Sequence, residues 1–308
     1  MSFNLAGLTA YVDETSGELI YKTILGANTL AKGGVTVQPN IKSTMNINVL
    51  DSDLVAVASS CSFTGADTTT LKVVPLSVDD LSIPRQFCLQ DLESYWAQVA
   101  IRPGSYNEDL PLEGVFVQEQ SDLVGGIIEK QVWQASKATG TGNLSLSDGF
   151  IQKIADEITA ASGVVETAIG TYNATTAVDK VDDYVATLPS ELVGAEGVKL
   201  YMSPKNFQYY LVAATKENLF HEAVDGDYDN GIRHRASNVV VFPAKGLSGI
   251  DTAMVLTPSK NLYVGTDLEN DPENFKQWFS NDTQSLRFLI KYKIGTAIAF
   301  PEQVVYIS

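Results

Sequence analysis

The sequence predicts a mixed α+β fold organised around one unusually long helix. Three observations carry this. Apolar residues recur at three- and four-residue steps from residue 110 to 137. The hexapeptide Thr44-Met45-Asn46-Ile47-Asn48-Val49 alternates polar and apolar side chains at the two-residue period of a half-buried strand. Residues 165–285 then alternate helical and strand patterns, and no internal repeat emerges.

In chain order, residues 1–41 carry short apolar pieces broken by Gly7, Gly17, Gly26, Gly33 and Gly34, and read as an extended arm. Residues 42–85 read as a turn-punctuated β-rich segment that is too thin to fold alone, because a hairpin without a second layer is marginal in water. Leu92, Tyr95, Trp96 and Val99 predict a short helix over 91–101, stopped by Pro103-Gly104. The long helix follows over 110–137. Pro111 suits its first turn, Glu108, Asp109 and Glu113 its positive end, and Lys130 and Lys137 its negative end. Gly125-Gly126 in its middle either admits a neighbouring backbone or marks a bend.

After the loop 139–143, Ser147 with Asp148 predicts an N-cap for a helix carrying Phe150, Ile151, Ile154 and Ile158. Helices are expected over 178–188 and 204–214 on either side of a strand at 198–202, with further strands at 239–242, 254–256 and 262–264. Residues 274–281 read as a connector, and 286–307 as a β-rich tail.

Composition excludes several classes. The chain has 308 residues, 44% of them hydrophobic, with 23 Gly, 11 Pro and 2 Cys, which is neither a disordered nor a collagen-like nor a disulfide-stapled chain. Its 21 basic and 37 acidic residues leave a net charge of −16, which disfavours gripping a polyphosphate by bulk electrostatics. The start carries no cationic, apolar export signal and no apolar run approaches a membrane span, so a soluble, unexported protein is expected. Cys61 and Cys88 read as packing thiols.

A search for chemistry yields little. There is no GxxxxGK[ST], complete GxGxxG or GxSxG. His221-Glu222-Ala223-Val224-Asp225 lacks the second imidazole of a zinc helix. Asp225, Asp227 and Asp229 alternate as in the first part of a calcium loop, but the glycine falls one position late and Ala236 stands where the closing Glu belongs. Catalytic, cofactor and metal residues are therefore expected to be absent. The tract is acidic and then basic within eleven residues, so Asp225, Asp227, Asp229, Arg233 and Arg235 are candidate contacts between copies of the chain, with solvated charges as the blander reading. Glu269, Asp271 and Glu273 read as a soluble rim, and Tyr209, Tyr210, Phe220, Trp278 and Phe279 as core or interface.

The order of these features resembles the tailed-bacteriophage major capsid protein family, whose fold is shared with encapsulins and the herpesvirus capsid floor. The residues that carry the resemblance run the length of the chain. They are Cys61 and Cys88-Leu89-Gln90-Asp91-Leu92-Glu93, Ile128-Glu129-Lys130-Gln131-Val132-Trp133-Gln134, and Leu188-Pro189 with Tyr201-Met202-Ser203-Pro204. Val240-Val241-Phe242-Pro243-Ala244-Lys245-Gly246-Leu247, Asn261-Leu262-Tyr263-Val264-Gly265-Thr266-Asp267 and the ending Glu302-Gln303-Val304-Val305-Tyr306 follow. The resemblance implies an N-terminal arm (1–41), an extended β-hairpin loop (42–90), a peripheral domain (91–164 with 286–308) holding the spine helix 110–137, and an axial domain (165–285).

It also implies a non-enzymatic shell subunit that assembles as hexamers and pentamers, encloses double-stranded DNA without binding it specifically, and takes no cofactor. Separate scaffolding, portal and decoration proteins, a place in the virion and assembly in the host bacterial cytoplasm belong to the same expectation. Some relatives join subunits through a Lys–Asn isopeptide bond. Lys72 lies in the corresponding loop, where an ordinary surface lysine is the reading adopted. Two alternatives remain at this stage: an encapsulin-type cellular compartment, and a metal-dependent α+β enzyme using Asp225, Asp227 and Asp229.

Overall fold

A computed structural model describes residues 28–53, 68–88, 112–217, 230–267, 275–280, 282–283 and 285–308. The expected helix 91–101 and Asp225, Asp227 and Asp229 lie outside the described residues, as do residues 54–67 of the β-rich segment, with Cys61, and the segment before residue 28.

The longest strand, β12 (Ser285–Ile298), organises the first sheet. Its side chains alternate cleanly: Phe288, Ile290, Tyr292, Ile294 and Ile298 are buried in the main apolar core, while Lys291, Lys293, Gly295 and Ala297 face the other way. Along one edge of β12 runs β4 (Asp79–Cys88), antiparallel over its whole length. Along the other edge run β10 (Leu262–Thr266) and then β11 (Phe275–Ser280), both antiparallel to β12. The two are one strand line interrupted between Thr266 and Phe275, where the pairing register jumps. β1 (Thr36–Gln38) adds to β10 in parallel.

The expected connector at 274–281 is thus corrected to a strand. Phe275, Trp278 and Phe279 do not alternate, so the local period hides it, and the ladder to β12 decides the conformation.

The second sheet has the order β5-β13-β9-β6-β8-β7, formed by β5 (Val165–Thr167), β6 (Val198–Met202), β7 (Ile232–Arg233), β8 (Val240–Pro243), β9 (Met254–Pro258) and β13 (Val305–Ile307). It is buried on both faces. Val198, Leu200, Met202, Met254 and Leu256 pack with α4 (Ala177–Ala186) and α5 (Pro204–Lys216), whereas Tyr201, Phe242 and Val255 face the core shared with the first sheet. β10 and β11 pair with the tail strand β12, while the last strand, β13, pairs in the second sheet.

Between the two sheets lies the long helix, α2 (Leu112–Gln134), about 34 Å at ~1.5 Å per residue. Val124, Ile128, Val132 and Trp133 are its buried stripe. The helix ends three residues before the expected limit, and its last turn carries no basic residue. Lys137 instead bends away: its amide donates to Asp148 Oδ1 at 2.9 Å and its ammonium pairs with Asp79 at 2.8 Å. That use of Asp148 also corrects the expected N-cap of α3 (Phe150–Thr159), which is Gly149 without a side-chain cap.

Residues 28–41, expected as part of the arm, are packed. Asn28, Thr29 and Leu30 of α1 (Asn28–Lys32) are buried, as is Ile41. Hydrogen bonds hold this strap at both ends: Asn28 Nδ2 donates to the Pro243 carbonyl at 2.8 Å, and Tyr201 donates its hydroxyl to the Gly33 carbonyl at 2.7 Å.

Two stability outcomes follow from local geometry. A Cβ added at Gly126 would meet nothing within 4 Å, so no neighbour among the described residues requires the glycine. Gly126→Ala should therefore raise unfolding free energy by about 1 kcal/mol in a denaturant titration. Ser203 Oγ accepts from the Asn206 amide at 3.2 Å to cap α5, and Ser203→Ala should lower it by about 1 kcal/mol in the same measurement.

Candidate assembly surface

Strands β2 (Thr44–Asp53) and β3 (Thr68–Ser77) form a separate two-stranded antiparallel sheet, in register from Thr44↔Ser77 to Asp53↔Thr68. At its root Leu76 is fully buried with Ile41 and Ala297, and Ile47, Val74, Val78 and Tyr263 pack around them. Further out, Leu71 is 63% exposed and Val73 47%, while Met45, opposite Leu76, is 42% exposed. A hairpin showing Leu and Val to water on one face while polar Asn46 and Asn48 lie beside them is an unfinished surface, since a two-stranded ladder needs a further layer to be stable. Lys72 sits opposite Val49 in this ladder and is exposed.

The root is seated by a pair of glycines. Gly265 and Gly295 face each other across β10 and β12. A Cβ on Gly295 would lie 1.9 Å from the Ser77 carbonyl oxygen, and one on Gly265 would crowd Ile41, Val78 and Leu76 at 2.9 to 3.1 Å. The backbone of the hairpin root at Ser77 and the side chains of Ile41, Leu76 and Val78 therefore occupy the space that side chains would take on any other residue pair. Beside it, the Lys293 ammonium donates to the Lys42 carbonyl at 3.0 Å and pairs with Asp267 at 3.2 Å and Asp80 at 3.5 Å, which pulls its pKa up. These groups line an open pocket with Ser82 and Lys291.

The predicted basic residues lie elsewhere, Arg233 at the end of β7 and Arg235 in the turn that follows it. Arg233 is exposed and donates to Asn238 Oδ1. Arg235 donates to Asp182 on α4 and lies 4.0 Å from Glu217, so its charge is engaged within its own chain. Between them His234 is buried, with Nδ1 3.0 Å from Ser237 Oγ and Nε2 2.6 Å from Asp182 Oδ1. Nothing in the spacing of Arg233-His234-Arg235 announced that the middle residue turns inward. Among the described residues no group of three or more His, Cys, Asp or Glu converges as metal ligands. No helix among them is long and apolar enough to cross a membrane.

Sequence reasoning also missed a buried carboxylate. Glu129 of α2 is 3% exposed and accepts the Thr29 amide at 3.0 Å, the Thr29 hydroxyl, and the Gly246 amide at 3.2 Å. Trp133 donates its indole N–H to Thr29 Oγ1 at 2.7 Å and stacks edge-on against Phe150 at 5.2 Å. Burial pushes the Glu129 carboxyl up, against the opposing effects of the Thr29 and Gly246 hydrogen bonds and the Lys245 charge. The only sequence sign was its helical spacing with Ile128 and Val132, which places an acid on the apolar stripe.

The fold has counterparts among solved structures. The chain is similar to the procapsid of satellite phage P4 with its size determination protein, at 12% identity over 95% of this chain and 90% of that one, with a TM-score of 0.59. It is similar to the capsid of Myoviridae phage XM1 at 10% identity over 91% and 90% of the two chains, with a TM-score of 0.56. This is the tailed-phage major capsid protein fold. A virus-like particle from Pyrococcus furiosus shares it at 11% identity over 94% and 96%, with a TM-score of 0.50. No family model and no curated protein matches the sequence.

The hairpin seat can be tested directly. Gly295→Ala should unseat the root, seen as faster amide hydrogen exchange in residues 44–49 and 71–77 while β9 and β13 stay protected; unchanged exchange in the hairpin would show that the root does not depend on the slot.

Proposed function

We propose that this chain is a structural major capsid protein that self-assembles as hexamers and pentamers into the icosahedral shell enclosing the genome of a tailed bacteriophage, without catalysis. The observation that carries the reading is the β2–β3 hairpin, whose Leu71, Val73 and Met45 lack cover within the described chain. Apolar surface of that kind, on a ladder with strands of ten residues, gains its second layer when it lies across a neighbouring copy. Stability then belongs partly to the assembly. The fold shared with the P4 and XM1 capsids supports the same conclusion.

The remaining parts of the reading follow from that role. The net charge of −16 suits a wall that encloses double-stranded DNA without gripping it. Scaffolding, portal and decoration proteins would be separate partners, with assembly in the host cytoplasm and residence in the virion. Residues 28–41 belong to the body, so an N-terminal arm would be confined to the chain before them, with the hairpin as extended loop, the first sheet and α2 as peripheral domain, and α4, α5 and the second sheet as axial domain. Contacts between copies through Asp225, Asp227, Asp229 and Arg233 fit the exposed position of Arg233, whereas Arg235 already serves Asp182.

Purified protein should form capsomers or closed shells in negative-stain micrographs. The double variant Leu71→Asp, Val73→Asp should keep the circular dichroism and melting temperature of the parent subunit yet sediment as small species. A parent protein that stays a dispersed monomer at high concentration would overturn the assignment.

A further inference from the structure

The strap α1 is joined to the long helix through a group that changes charge. Glu129 lies inside the main core beside Leu30, Trp133 and Leu247, and every partner it has there is a neutral donor: the Thr29 amide and hydroxyl and the Gly246 amide. Among the described residues no ammonium or guanidinium forms an ion pair with it. An ionised carboxylate held this way bears the cost of a buried charge with no ion pair, offset by those donors and by the nearby Lys245 charge. Taking up a proton removes that cost and keeps the pair joined, because the new O–H can donate to Thr29 Oγ1, which already accepts from Trp133.

We propose that the joint between α1 and α2 is a proton-operated latch, in which protonation of Glu129 tightens the strap on the long helix and ionisation loosens it. The other titratable groups around the joint do not supply the switch. From the turn after β8, Lys245 offers a charge that favours ionisation of Glu129. From β6, Lys199 donates to the Lys32 carbonyl at 2.9 Å, and burial lowers its pKa. Tyr201 on the same strand is pushed far up by burial, and Tyr292 on β12, which donates to Gln131 at 2.7 Å, is pushed up to about 12, so both stay neutral. Lys32 on α1 and Lys130 on α2 are exposed.

The sign follows from linkage. A carboxyl whose folded-state value is raised above the usual 4.5 binds more protons folded than unfolded between those two values. The joint is therefore strongest below 4.5 and weakens as pH rises through the raised value, opposite to an acid held by an ion pair.

Hydrogen exchange on the full chain tests this. Protection of the amides of residues 28–34, corrected for the chemical exchange rate, should fall severalfold as pH rises from 4 to 8. Amides of β9 and β13 should hold constant. Glu129→Gln should flatten the profile, and Thr29→Val, which removes a hydrogen-bond partner of both charge forms, should change the pH at which protection falls. Equal wild-type protection at both pH values, or a fall that persists in Glu129→Gln, would overturn the latch. Should Glu129→Gln fail to fold, an unshifted profile in Thr29→Val would overturn it as well.

Discussion

A fourteen-residue strand with apolar side chains at every second position must have both faces covered, and β12 meets that constraint by two different means. Its inward face, from Phe288 to Ile298, is filled by the stripe of the long helix and by Phe150 and Ile154 of α3. On its outward face Gly295 leaves room only for the Ser77 backbone, Ala297 packs with Leu76 and Ile41, and the hairpin root enters there. The body and the projecting element are thus parts of one packing solution. The close approach at Ser77 also fixes the point at which the hairpin leaves the sheet.

The second sheet solves a related problem from the opposite side. Odd and even positions of β6, β8 and β9 are distributed between two cores, so the sheet serves as a shared wall. Tyr201 and Phe242 face the long helix in a chain of ring contacts with Trp133, at 5.2 and 5.7 Å. The strap crosses the same region and is bonded to both the helix and the wall. A subunit built this way has an aromatic cluster at its centre, and Leu71, Val73 and Met45 of the hairpin are among its exposed apolar side chains.

Much of this was legible in the residues where pattern and packing agree. The strand at 198–202 and the helices starting near 178 and 204 follow from unmixed periodicity, and the polar-apolar alternation of 44–49 announced a ladder whose far side had to be supplied. What the sequence hid depends on distant partners. Phe275 to Ser280 becomes a strand because β12 offers a ladder, and residues 28–41 join the body because Glu129, Pro243 and Tyr201 receive them. His234 turns inward to meet Asp182, fifty-two positions earlier. Gly295 reads as an interruption of a strand, and only the position of Ser77 shows it to be a seat.

That seat has a geometric consequence. A ladder of ten residues reaches about 33 Å at ~3.3 Å per residue, so an angular error of about 5° at its base displaces the tip by about 3 Å. Such a displacement is comparable to the separation between packed atoms, so it would decide whether the tip meets its target or misses it. Two residues without side chains thus act as the pivot of a lever, and the accuracy required at the far end is met by steric exclusion at the near one.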